Sequence, residues 1–129
     1  MTNRDIYIAA LVKLNEPIGD GLSEDYRERV PYMIADFWRL AEDPDKKYRA
    51  AYGIPKRSAE SNTYFELDDE FPLPDVFISP AISYVASELV QYDDESFSED
   101  LRDQWSCMMA EIEMELPACV EQIVERYPL

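Results

Sequence analysis

SFSEDLRDQWSCMMAEIEMEL, residues 96–116, decides the fold. Its apolar side chains Phe97, Leu101, Trp105, Met108 and Ile112 recur every three or four residues and run on to Leu116, the period of a helix with one face against a core. Ser96 and Glu99 stand in the S-x-x-E arrangement of a capping box, so the helix is expected to open there, and Pro117 is expected to interrupt it. Past Pro117, Val120, Ile123 and Val124 predict a last helical piece ending at Tyr127-Pro128.

Upstream, Ile78, Ile82, Val85, Ala86 and Leu89 keep the same period. That helix begins either at Asp75, with Pro80 in an early turn, or behind Ser79, with Pro80 at the first helical position. Asp93-Asp94-Glu95 reads as a short solvated connector, which sets the two helices antiparallel. Between Ile54 and Pro74 the period disappears. This long loop, 54–74, has room for one short strand or hairpin near Thr63 to Leu67, and a loop of that length inside a small domain is more often functional than accidental. Asp43-Pro44 predicts an N-cap followed by proline at the first position of a short helix that Gly53 stops after Tyr52. Ser23 predicts the cap of a helix carrying Tyr26, Val30, Met33, Ile34, Phe37 and Ala41, kinked at Pro31. Thr2 with Asp5 makes a variant capping box for a first helix that places Ile6, Ala10 and Leu14 on one face and ends near Asn15. The expectation is an all-α chain, a bundle of four to five helices in one domain over 1–129.

Composition agrees. A chain of 129 residues with 47% hydrophobic content can bury a core without disulfides or metals. No apolar stretch approaches the roughly 20 residues of a membrane-spanning helix, and Met1-Thr2-Asn3-Arg4-Asp5 lacks the layout of a signal peptide, so a cytoplasmic protein with no membrane partner is expected. The formal charge of -16 is lopsided: residues 1–63 carry 10 basic and 11 acidic groups, residues 64–129 carry 2 and 17. A second half with only Arg102 and Arg126 cannot displace counterions from a phosphate backbone, so tight nucleic-acid binding is not expected.

The residues for catalysis are scarce. There is no histidine, the glycines Gly19, Gly21 and Gly53 form no phosphate loop, and two cysteines alone cannot build a structural zinc site. Cys107 and Cys119, about 18 Å apart if one helix continues through both, are too distant for a disulfide and read as core-filling thiols. Asp68, Asp69, Glu70 and Asp75 have the donor type of a calcium site without its spacing, and read as a solvated turn. Glu111, Glu113 and Glu115 point in different directions around their helix. Trp38, Trp105, Tyr84 and Tyr92 read as core groups or interface anchors. No catalytic residue, cofactor or metal is expected.

Phe71-Pro72-Leu73 leading into Ala81-Ile82-Ser83-Tyr84-Val85-Ala86-Ser87-Glu88-Leu89, the opening Ile6-Tyr7-Ile8-Ala9-Ala10-Leu11, and Asp25-Tyr26-Arg27-Glu28-Arg29-Val30-Pro31-Tyr32 give a pattern that resembles the helical head-tail connector (adaptor, or head-completion) proteins of tailed bacteriophages and prophages. The resemblance implies a non-enzymatic subunit that assembles as a homo-oligomeric ring at the portal, contacts portal or neck proteins, and resides in a bacterial host's cytoplasm and in the virion. It transfers no binding residues, so the local reading supplies them. Arg27, Arg29, Lys46, Lys47 and Arg49, with the loop aromatics Tyr64, Phe65 and Phe71, are candidates for a protein interface, the loop ordering on assembly. Asp68, Asp69, Glu70, Glu111 and Glu115 are candidates for a channel lining that repels DNA. The alternative is an acidic DNA mimic that occupies a nucleic-acid-binding protein.

Overall fold

The computed structural model describes residues 1–15, 22–57 and 62–117. Among them are five α-helices and no sheet: α1 (Asn3–Lys13), α2 (Leu22–Leu40), α3 (Glu42–Tyr52), α4 (Ile78–Val90) and α5 (Glu95–Glu115), with a 3-10 turn, Asp75–Phe77, leading into α4. The final helical piece expected after Pro117, Cys119, Gly19 and Gly21 lie outside the described residues.

α1 opens as its sequence dictates. Thr2 and Asp5 form both halves of the capping box, and Asn15, left-handed at φ 58°, ends the helix just past Leu14. The first turn is completed from far along the chain: the Asn3 N–H donates to the Asp69 carbonyl at 3.0 Å and the Arg4 N–H to the Leu67 carbonyl at 2.7 Å. A helix start leaves such N–H groups without intrahelical acceptors, and the loop supplies them.

The strand expected near Thr63 to Leu67 is therefore not formed. The backbone groups of this stretch go to helices instead, the Leu67 carbonyl to the start of α1 and the Phe65 N–H to the Pro31 carbonyl inside α2 at 3.2 Å, and the single antiparallel bridge of the described residues joins Thr2 to Glu70. Nor does this stretch await assembly to order. Leu67, Phe71 and Leu73 are buried in the same core as Ile6, Leu11, Phe37 and Leu101.

α2 starts at Leu22, one residue before the expected Ser23 cap, and runs through Pro31 as one helix. The break comes at Ala41, because Pro44 has no N–H for the Leu40 carbonyl and its ring crowds that group. Ala41 thus caps α3, without a side-chain bond, and Asp43 lies inside the first turn rather than before it. Gly53, at φ 66°, stops α3 as predicted. Likewise α4 has Phe77 at its cap position, with Ser79 and Pro80 in its first turn, and α5 is capped by Asp94, whose carboxylate accepts from the Phe97 N–H at 3.0 Å, not by Ser96.

α4 is the hub. It is buried by α1, α2 and α5, and packs most extensively on α5, which meets it at the small residue Ser87. Ser87 Oγ donates to the Tyr84 carbonyl at 2.7 Å, and Ser98 Oγ of α5 donates to the Ser87 carbonyl at 2.9 Å. α5 turns Leu101 and Ile112 inward and ends one residue before Leu116, whose extended backbone leads into Pro117. No helix of the described residues is long and apolar enough to cross a membrane.

Candidate interaction surfaces

The sequence-predicted residues do not form one site. They fall into three places.

The first is a buried clamp that holds the loop. Asp45, on the inner side of α3, is fully buried, and its two oxygens are divided between two arginines: Arg49 Nε donates to Oδ1 and Arg57 Nε to Oδ2, both at 2.8 Å. Arg57 also donates to the Trp38 carbonyl at 2.9 Å and lies over the Trp38 ring at 4.3 Å, while Arg49 donates to the Pro55 carbonyl at 2.8 Å. A buried carboxylate needs such partners, and here one anion organises two cations that pin the start of the loop to α2 and α3. Arg49, a candidate for a protein interface, is turned into its own molecule. Asp45 and Arg57 were missed: Asp45 and Arg49 are a readable i,i+4 pair, but nothing local places Arg57 beside them.

The second is an aromatic and arginine face where the loop crosses α2. Tyr64 meets Tyr32 edge-on with ring centroids 5.1 Å apart, and the two are 43% and 55% exposed. Beside them Arg39 pairs with Asp36 and donates to the Asn62 carbonyl at 2.7 Å, and Leu40 is exposed. Partial desolvation, and then the Glu66 charge, push the Tyr64 phenol above its ordinary range. Of the other loop aromatics, Phe65 packs edge-on against Trp38 at 5.6 Å and Phe71 is in the core, so Phe71 offers no surface to a partner. Arg27 is exposed near the start of α2 and Arg29 is half-buried. Lys46 and Lys47 are exposed but paired at home, with Glu42 at 2.9 Å and Asp43 at 3.0 Å, and Lys47 reaches Glu113 of α5 at 3.8 Å. Those bonds hold the Glu42 carboxyl below its usual range and raise the Lys47 ammonium above its own.

The third is acidic, and it is split. Asp68, Asp69 and Glu70 belong to the turn that closes over α1. Asp68 pairs with Arg4 at 2.9 Å, the Asp69 carbonyl accepts from Asn3, and Glu70 faces the Met1 ammonium at 3.2 Å. Glu111 and Glu115 instead lie on α5, whose seven carboxylates, Glu95, Glu99, Asp100, Asp103, Glu111, Glu113 and Glu115, are all exposed against one cation, Arg102. Cys107 is on this outer side too, so it is not a core-filling thiol.

Elsewhere, burial raises the Tyr84 phenol well above its ordinary range, with Glu88 and Asp36 adding to the effect; its ring packs edge-on against Trp105 at 5.4 Å. Among the described residues no three Asp, Glu or Cys side chains gather to hold a metal ion. What the arrangement offers is surface: an aromatic and arginine face of mixed charge, and an acidic helix face. Comparison of the chain with protein-family models, with curated proteins and with solved structures finds no match.

Proposed function

We propose that the chain is a non-enzymatic structural subunit of a tailed bacteriophage or prophage particle, a head-tail connector that assembles as a ring at the portal. One observation carries this reading beyond the sequence resemblance: α5, about 30 Å long, is held along one side by the core and turns every one of its carboxylates to solvent. A wall of that kind guides duplex DNA without retaining it, since it repels phosphates and releases no counterions. The mixed-charge face around Tyr32, Tyr64 and Arg39 has the residue types of a protein contact.

The acidic DNA mimic is the lesser reading, on charge density. Thirty ångströms of duplex carry roughly 18 phosphate charges, one for about every 1.7 Å, against seven carboxylates on α5.

The test is co-expression with the portal protein encoded beside the gene, followed by electron microscopy of the purified particles. The reading predicts a ring of this chain stacked on the portal, and Glu111→Lys/Glu115→Lys rings that assemble normally but retain duplex DNA at low salt. A chain that neither forms rings nor binds that portal, or a gene flanked by no portal or tail genes, overturns it.

A further inference from the structure

α1 has more apolar surface than this molecule covers. Ile6-Tyr7-Ile8-Ala9-Ala10-Leu11-Val12 runs seven residues without a charged group, the Tyr7 hydroxyl its one polar side-chain atom, so this stretch of the helix is apolar on every side, the pattern of an element covered all round. The core takes Ile6, Tyr7, Ala10 and Leu11. On the opposite side Ile8 and Ala9 are half-buried and Val12 is 63% exposed, with exposed Asp5 before them and exposed Lys13 after. At 100° per residue, positions 5, 8, 9, 12 and 13 fall within one arc of about 140°.

We propose that a second copy of this chain covers that face, the two α1 helices crossing antiparallel about a two-fold axis at Ala9. The placing of the charges carries the choice of occupant. Ala9 stands four residues from Asp5 and four from Lys13, so a two-fold axis at Ala9 sets each Asp5 carboxylate beside the other copy's Lys13 ammonium, twice over. A parallel pairing would set like on like. The small Ala9 side chain at the axis lets the helices approach closely, and Val12 of each copy seats over Ile8 of the other. Thr2 bonds only Oδ2 of Asp5, at 2.9 and 3.0 Å, which leaves Oδ1 for the second partner. The acidic α5 face does not suit this role, because two copies of it would repel.

The contact is small. Two 11-residue helices bury less than the roughly 1,200 Å² of a stable complex, so pairing is expected only at high protein concentration. It is two-fold, whereas a ring uses head-to-tail contacts, so it neither requires the connector reading nor falls with it.

Analytical ultracentrifugation of the full chain from about 10 µM to about 1 mM tests it. The wild type is expected to pass from monomer to dimer, and Val12→Glu and Lys13→Glu each to weaken pairing at least tenfold while keeping the wild-type circular dichroism. In a Cys107→Ser/Cys119→Ser background, Ala9→Cys at the axis is expected to cross-link two copies on oxidation, whereas Lys13→Cys, one helical turn from the axis, is not. A chain that stays monomeric at 1 mM overturns the proposal, whatever else binds there. So does a dimer that survives both charge changes, or one that Lys13→Cys cross-links as readily as Ala9→Cys.

Discussion

Asp45 is the residue on which most depends, because among the described residues it is the one carboxylate fully out of water and it holds two arginines from different stretches of chain. Asp45→Asn leaves those two guanidinium groups facing a neutral amide in a dry site. Chemical denaturation should show a loss of about 3–5 kcal/mol, the cost of stranding buried charge. Thr2→Ala removes the cap of α1 and should cost about 1 kcal/mol. That second effect carries a pH signature. The bonds from the Thr2 backbone and hydroxyl hold the Asp5 carboxyl below its ordinary value of 3.8, so this part of the stability is present above that value and is lost as pH falls through the lower folded value. The gap between wild type and Thr2→Ala should therefore narrow in melts taken at progressively more acid pH. The two sites also differ in how readable they were. Thr2 and Asp5 sit three residues apart, and the capping box follows from types and spacing alone. Asp45 could be read only as the i,i+4 partner of Arg49; its burial could not, since that depends on Arg57, 12 residues on in a stretch without period.

Between elements, the loop proves to be part of the core. Deleting residues 56–70 removes Arg57 of the clamp, Leu67 of the core and the acceptors for the first turn of α1. The shortened chain should lose its cooperative thermal transition and its near-ultraviolet circular dichroism instead of persisting as a folded monomer. At the α4–α5 contact, Ser87→Leu forces a large side chain between helices that a serine lets close. It should cost about 1–3 kcal/mol in the same denaturation assay. The helices themselves were legible from apolar period, which is a property of many residues at once. Their starts were less so. Asp94 and Ser96 were both good caps for α5, and the turn out of α4 settles the choice for Asp94; Asp43-Pro44 looked like a start, whereas proline acts four residues back, on the Leu40 carbonyl. Of the candidate surfaces, the exposed acids of α5 could be read from their spacing opposite Leu101 and Ile112. The inward turn of Arg49 and the burial of Phe71 could not, since both depend on where the loop crosses.

For the molecule as a whole, a charge of -16 on 129 residues is self-repulsion that folding concentrates. Raising the ionic strength screens it over a Debye length of about 10 Å at 0.1 M, so the thermal midpoint should climb between low salt and 0.5 M sodium chloride. A flat response would mean that the ion pairs around α3 and α1 already offset the excess. The join between the start of the chain and the loop in its middle has a further consequence, in time. The first turn of α1 takes acceptors from Leu67 and Asp69, and the Phe71 N–H donates back to Met1. At about 5–20 residues per second a ribosome needs several seconds to add that stretch after α1 itself. Throughout that interval Ile6 to Val12 is synthesised but unsheltered, so the nascent chain offers a sticky segment to chaperones, and slower translation of residues 54–74 should raise the fraction that aggregates before it is released.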